Sequence, residues 1–182
     1  MTTLYVACGI PGSGKSTTFR SIKEIVDGIG KNTFEIVSRD AIRFVKLREN
    51  KNIQYFDKEK EVWKEYIDTI QKYLDEKIDF VIADATQLNQ KSRNKLLDSL
   101  NLKDVKIIPF SFELPLETCL SRNELRKNDE FAYVPRGVIR RMNEQFEKPT
   151  FSEKYTYSAI ARVNEGGITV DLSDQWFTFF SF

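Results

Sequence analysis

The chain has 182 residues, 30% charged and 41% hydrophobic, the profile of a soluble globular domain large enough for a good core. Its 28 basic and 27 acidic residues leave a net charge of +1, which argues against a global pull toward nucleic acid, so a nucleic-acid partner would need a local basic surface. With no histidine and only Cys8 and Cys119, far apart, a zinc site or disulfide is not expected, and any general base must be a carboxylate or lysine.

Leu4–Cys8 is an uninterrupted apolar run and reads as a buried strand of a parallel sheet. It leads into Gly9-Ile10-Pro11-Gly12-Ser13-Gly14-Lys15-Ser16-Thr17, a complete phosphate-binding loop pattern of glycine, four residues, glycine, lysine and serine. Such glycines let successive N–H groups point inward at a phosphate, and the following helix adds the positive end of its dipole. Gly12, Ser13, Gly14, Lys15, Ser16 and Thr17 are therefore expected to bind a nucleotide, with Lys15 on β- and γ-phosphate oxygens and the Ser16 hydroxyl on Mg²⁺. A helix is expected from about Lys15, with Phe19, Ile22, Ile25 and Val26 at helical spacing.

After a turn at Gly28–Asn32, Thr33–Ser38 reads as a second strand and Ala41–Leu47 as the start of a helix. Asn50–Phe56 reads as a loop. A long helix is expected over Lys58–Lys77, with Val62, Tyr66, Ile70 and Tyr73 or Leu74 as its apolar face. Phe80–Asp84 is a third strand ending in a carboxylate. Gln90–Leu100 is a helix, Val105–Phe112 a fourth strand and Pro115–Lys127 a helix with an arginine-rich second half. Asn128–Pro135 is a loop and Arg136–Glu147 a further helix. Ala159–Val163 and Ile168–Leu172 flank Asn164-Glu165-Gly166-Gly167, a hairpin signal. Phe177–Phe182 is an aromatic tail that fits either a last strand or a packing plug.

Strands alternating with helices give an α/β fold, a mainly parallel sheet flanked by helices, and residues 1–182 read as one domain. Ligands of such sheets bind at the carboxyl ends of the strands. Three candidate groups fall there. Asp40 and Arg43 lie one helical turn apart after the second strand. Asp40 could accept a proton from an attacking hydroxyl and Arg43 could grip a substrate phosphate, or the pair could be a helix cap with a surface ion pair. Asp84 could hold Mg²⁺ or cap the next helix. Arg122 and Arg126 are four apart, so they could close as a lid over a triphosphate or form solvated pairs with Glu117, Glu124 and Glu130. Arg136, Arg140 and Arg141 read as surface charge. Tyr133, Phe131 and Phe56 are exposed-aromatic candidates for stacking on bases or anchoring their own loops. No N-terminal signal segment or long apolar run is present, so a cytoplasmic protein (host cytoplasm if viral) with no membrane partner is expected.

Taken together, Gly9–Thr17, Ser38-Arg39-Asp40-Ala41-Ile42-Arg43, Asp84-Ala85-Thr86-Gln87-Leu88-Asn89 with Arg93, and Arg122-Asn123…Arg126 with Val134-Pro135 and Val138-Ile139 resemble the ordered motifs of polynucleotide 5′-hydroxyl kinases. Gln145–Thr150 and the terminal hairpin resemble the end of the kinase domain in bifunctional kinase–phosphatases. The resemblance implies a P-loop NTPase-type kinase domain with an arginine-bearing helical lid and a C-terminal hairpin. It implies ATP as donor and Mg²⁺ as cofactor. Lys15 and Ser16 would hold phosphates and metal, with Asp84 also on the metal. Asp40 would be the general base, Arg43 would grip the acceptor, and Thr86 would lie on the substrate side. Arg122 and Arg126 would close over the donor phosphates. The implied acceptor is the 5′-hydroxyl of a DNA or RNA end. Two departures are notable: no Asp-x-Asp-Gly-Thr phosphatase motif is present, and Ser38 stands where the family often has asparagine. Rival expectations are a kinase for a hydroxymethylated base in DNA, a nucleoside or a small molecule, and a nucleotide-dependent switch.

Overall fold

The computed structural model describes residues 1–49, 57–129 and 132–173. Its strands are β1 (Thr2–Cys8), β2 (Phe34–Ser38), β3 (Phe80–Asp84), β4 (Val105–Phe112), β5 (Ala159–Asn164) and β6 (Gly167–Leu172). Its helices are α1 (Lys15–Ile29), α2 (Arg39–Glu49), α3 (Glu59–Asp75), α4 (Gln90–Leu97), α5 (Leu116–Glu124) and α6 (Arg136–Glu144). The strands form one sheet in the order β2-β3-β1-β4-β5-β6. Every neighbouring pair is parallel except β5–β6, which is the hairpin expected from Asn164–Gly167. The expected α/β fold is the observed one.

β1 lies between β3 and β4, with Val6 opposite Ala83 on one side and Pro109 on the other. Its side chains alternate between the two faces. Leu4, Val6 and Cys8 join Val81, Ala83 and Ile107 in one core, which α3 and α4 cover with Tyr66, Ile70, Leu74, Leu96 and Leu97. Ala7 joins Phe19, Ile82, Phe110 and Phe112 in the other. There the Phe19 ring meets those of Phe110 and Phe112 edge-on, with centroids 5.1 and 5.7 Å apart. Both cysteines are free and buried, as expected of small core residues.

Four helices end earlier than their apolar patterns suggest. α3 stops at Asp75, where Lys77 takes a positive φ of 57° and lets the chain turn into β3. α4 stops at Leu97. α5 stops at Glu124, because the Asn123 side chain is drawn onto the Val134 backbone and the chain continues in tight turns. α6 stops at Glu144. Of the apolar residues assigned to α1, Phe19 is fully buried, whereas Ile25 is 63% exposed. The stretches 50–56 and 174–182, which hold the expected loop and aromatic tail, lie outside the described residues.

One buried charge ties the carboxyl-terminal third to the sheet. Arg93 on α4 is fully buried, and it donates to both Glu153 carboxylate oxygens at 3.0 and 2.5 Å. It also donates to the Gln87 and Glu147 carbonyls at 3.3 and 2.9 Å. Tyr157 donates its hydroxyl to Glu153 at 2.7 Å, and these bonds hold the Glu153 carboxyl below its ordinary pKa despite burial. Removing one partner of such a pair strands the other in the core. Glu153→Ala is expected to lower unfolding stability by about 3–5 kcal/mol, read from the urea midpoint. A loss under about 1 kcal/mol would mean that Arg93 finds water in the variant.

Candidate functional site

The loop after β1 wraps the start of α1. Gly12 has a φ of +81°, and a Cβ there would stand 2.3 Å from the Cys119 carbonyl oxygen, so both conformation and space require glycine. Gly14 is left-handed, with a φ of +94°, and precedes the first turn of α1. The loop is braced from β3's side, where the Gly9 N–H donates to the Thr86 carbonyl at 2.9 Å. Ser13 is buried within the loop, whereas Ser16 and Thr17 are exposed.

Lys15 curls back on its own loop. Its ammonium donates to the Gly9 and Ile10 carbonyls, both at 2.9 Å. Burial lowers its pKa, with Asp84 and Asp40 pulling the other way. Ser16 donates its hydroxyl to Asp84 at 2.8 Å. Asp84 is 5% exposed, and burial raises its carboxyl pKa, with Lys15 and Ser16 opposing. It caps nothing: α4 is capped by Asn89, which forms a capping box with Ser92.

A cleft of about 510 Å³ runs from this loop to α2. Gly12, Gly14, Lys15, Ser16 and Thr17 line it from the loop, Asp84 and Thr86 from the end of β3, and Ser38, Asp40 and Phe44 from the end of β2 and the start of α2. Arg126 stands at its rim. The sequence reading brought these together except for Phe44 and Arg20. Each lies on the cleft because it follows a named residue by one helical turn or more, Phe44 after Asp40 and Arg20 after Ser16.

Asp40 sits in the first turn of α2, exposed, and the cap is instead Ser38, whose hydroxyl accepts from the Ala41 N–H at 3.3 Å. Asp40 does pair with Arg43. Arg43 is not at the surface, however: it is 6% exposed, absent from the cleft lining, and grips Glu59 of α3 from Nε and Nη2 at 3.2 and 3.1 Å. Glu59 also holds Arg39, whose guanidinium lies 5.1 Å from the Trp63 ring centroid. Glu59 was not legible in the sequence, since only the packing of α2 on α3 brings it to the arginines. Arg93, grouped with Asp84–Asn89 by motif, is likewise internal rather than at the cleft.

On the opposite rim, Arg122 and Arg126 do not share a helix face, because α5 ends between them. Arg122 approaches the loop, its Nη1 3.5 Å from where a Gly14 Cβ would be. Neither arginine has an ion pair among the described residues. Glu117 pairs with Arg136 and Arg140, and Glu124 with Arg136, so those glutamates are spent on α6. Glu130 lies outside the described residues, as do Phe56 and Phe131. Tyr133 is half-buried and off the cleft. The segment between Arg126 and Val134 is closed at its base by Asn123, fully buried, which donates to the Val134 carbonyl at 2.7 Å and accepts from its N–H at 3.0 Å. Asn123 and Val134 both fall in the motif that resembles a lid, but nothing in the sequence marked the bond between them.

A parallel sheet with a phosphate loop after its central strand and a carboxylate after the adjacent one defines a P-loop NTPase-type fold. Residues 4–149 match the AAA domain family, and the chain belongs to it. No curated protein matches the sequence. Among solved structures, it is similar to a chain of the Pnkp1/Rnl/Hen1 RNA repair complex, at 22% identity and a TM-score of 0.65 over 79% of this chain and 43% of that one. It thus spans less than half of that relative. It is also similar to Chaetomium thermophilum Kti12 in complex with ADP-AlF3 (15% identity, TM-score 0.64, 89% of each chain). A fungal RNA kinase gives 15% identity and a TM-score of 0.60 over 95% of this chain and 76% of that one. Among the described residues no helix is long and apolar enough to cross a membrane.

The raised Asp84 pKa has a stability consequence. The folded chain keeps that proton to higher pH than the unfolded chain does. Asp84's contribution is therefore fullest in acid and is lost as pH rises through its folded pKa. Asp84→Asn removes that loss while keeping an acceptor for Ser16. The variant is expected to match or exceed the parent's Tm at neutral pH, with the gap closing toward about pH 4. A Tm several degrees below the parent at neutral pH would show that attraction to Lys15 outweighs desolvation.

Proposed function

We propose that this domain is an ATP- and Mg²⁺-dependent kinase that transfers the γ-phosphoryl group of ATP to the 5′-hydroxyl of a DNA or RNA end. The observation that carries the proposal is that the phosphate loop and Asp40 face one another across a single cleft. A nucleotide switch has no use for a carboxylate on the far wall, whereas a kinase needs a group there to take the acceptor's proton. The fold likeness to the RNA repair complex chain and the fungal RNA kinase supports a nucleic-acid acceptor over other hydroxyls.

In this reading the N–H groups of residues 12–17 hold the donor phosphates at the start of α1. Lys15 exchanges its two carbonyl partners for phosphate oxygens. Arg122 and Arg126, which have no ion pair among the described residues, bring their charges over the donor. Ser16 and Asp84, two hard oxygen ligands joined at 2.8 Å, fit Mg²⁺. When bound, the ion neutralises charge on the β- and γ-phosphate oxygens. Thr86 lies on the acceptor's path along the β3 wall. Asp40 accepts the hydroxyl proton as that oxygen bonds the γ-phosphorus and the bond to the ADP oxygen breaks. Arg43, held by Glu59, keeps the Asp40 carboxylate in place. Positioning and charge stabilisation supply most of the rate.

Asp40→Asn is expected to cut phosphoryl transfer by about 10²–10⁴-fold while leaving ATP affinity within about twofold by calorimetry. Full activity in that variant would remove Asp40 as the base. The acceptor is tested with γ-labelled ATP, Mg²⁺ and a panel of 5′-hydroxyl DNA and RNA oligonucleotides, duplex DNA with hydroxymethyl bases, and free nucleosides. Label on 5′ ends is the expected result. Label confined to modified bases or nucleosides would overturn the acceptor, and ATP binding without transfer to any of them would overturn the kinase.

A further inference from the structure

A net charge of +1 leaves any hold on a nucleic-acid chain to a local basic surface, and the seam between α3 and α4 offers one. On α3, Lys60, Trp63, Ile67 and Gln71 recur at helical spacing, so they share one flank. Gln71 accepts from the Asn101 N–H, just past α4, at 2.8 Å, which turns that flank toward α4. Trp63 joins three helices: the Lys95 ammonium of α4 stands 4.6 Å from its ring centroid, and the Arg39 guanidinium of α2 stands 5.1 Å from it. Lys91 lies one turn before Lys95 on the same face of α4. Lys60, Lys91 and Lys95 are exposed, and none has an ion pair among the described residues.

The seam meets the cleft at Arg39. Ser38 and Asp40, on either side of it in sequence, line the cleft, while its own side chain turns to Glu59 and Trp63 on α3. Trp63 holds Lys95 in a way that a carboxylate would not. A ring quadrupole attracts a cation without cancelling its charge, so Lys95 is kept in place and still presents a full positive charge. Exposed lysines without carboxylate partners attract a polyanion. We propose that Lys60, Lys91 and Lys95 bind backbone phosphates of the acceptor strand beyond its first nucleotide, the strand leaving the cleft past Arg39 and following the seam between α3 and α4. The inference rests on the reading of the acceptor as a nucleic-acid end. It makes that acceptor a chain of several nucleotides rather than a nucleoside. Lysines on phosphates carry no base information, so this hold is independent of sequence.

The test measures binding first and transfer second. Decamers of dT and of dA, with a free 5′-hydroxyl and a 3′ fluorophore, are titrated by anisotropy at several salt concentrations. They are titrated against the parent, Lys60→Ala/Lys95→Ala, and a control, Lys31→Ala/Lys72→Ala, which removes equal charge from the α1–β2 turn and from the flank of α3 beside Glu65 and Asp68. Lys60→Ala/Lys95→Ala is expected to bind both decamers roughly tenfold more weakly, and to flatten the slope of log affinity against log salt by about 0.7 for each lysine removed. The control is expected to stay within about twofold of the parent. In transfer, the parent is expected to show a KM roughly tenfold lower for a decamer than for a dinucleotide, a preference that Lys60→Ala/Lys95→Ala loses. Equal weakening by the control, an unchanged salt slope, or a parent that binds neither decamer would overturn the proposal. So would a parent whose KM is the same for dinucleotide and decamer. Binding that depends on these lysines, with no label passing to any 5′ end, would keep the seam as a nucleic-acid site and overturn the kinase reading instead.

Discussion

The placement of β1 between β3 and β4 is the constraint on which the rest depends. A strand buried on both faces with parallel neighbours on both edges ends where backbone groups from three strands converge. Its carboxyl end is therefore the least mobile place in the sheet from which to hang a loop. The bond from the Gly9 N–H to the Thr86 carbonyl fixes the loop to the strand beside it. The register that sets Ser38 opposite Asp84 brings the starts of both cleft walls to one level. Once that frame exists, short side chains suffice. A serine and an aspartate meet at 2.8 Å across 68 positions of sequence without either leaving its own element.

The cleft is asymmetric in its electrostatics. On the α2 side, charges come already paired: Asp40 with Arg43, and Arg43 and Arg39 with Glu59. Pairing holds these side chains in place. On the phosphate-loop side, Lys15 rests on two neutral carbonyls, and Arg122 and Arg126 have no carboxylate partner among the described residues. Like charges gathered around a buried loop are costly unless an anion arrives. The glutamates that could have neutralised them are held by Arg136 and Arg140 instead. The surface arginines of α6 thus have a structural consequence: they hold Glu117 and Glu124 away from Arg122 and Arg126.

What could be read from the sequence was whatever a short stretch encodes by itself. The phosphate loop is contiguous, the strands are apolar runs, and Asp40 and Asp84 are marked by standing at strand ends. What could not be read depends on packing between distant segments. Glu59 becomes the partner of Arg43 only when α3 lies on α2, and Asn123 reaches Val134 only after the chain has doubled back. Helix ends were misjudged for the same reason. Apolar periodicity continues past Glu124, but the buried amide of Asn123 is worth more bonded to Val134 than as another turn of helix. The exposure of Ile25 belongs here too. Periodicity marks an apolar stripe, but not whether the fold supplies enough partner surface to cover it.

The buried pair of Arg93 and Glu153 shows how far the cleft depends on residues remote from it. Arg93 begins one helical turn after Asn89 and donates to the Gln87 carbonyl, inside the segment that carries Thr86 and follows Asp84. Gln87 holds a φ of +38°, a conformation that a non-glycine residue keeps only when its surroundings impose it. Arg93 supplies one such restraint, and its other bonds reach Glu147 and Glu153 in the segment that leads to β5. A buried cation is a poor way to gain stability, since its desolvation offsets most of the attraction. Its four bonds instead tie the β3–α4 turn, through Gln87, to Glu147 and Glu153 in the segment that leads to β5, and so hold the stretch that carries Asp84 and Thr86 beside the phosphate loop.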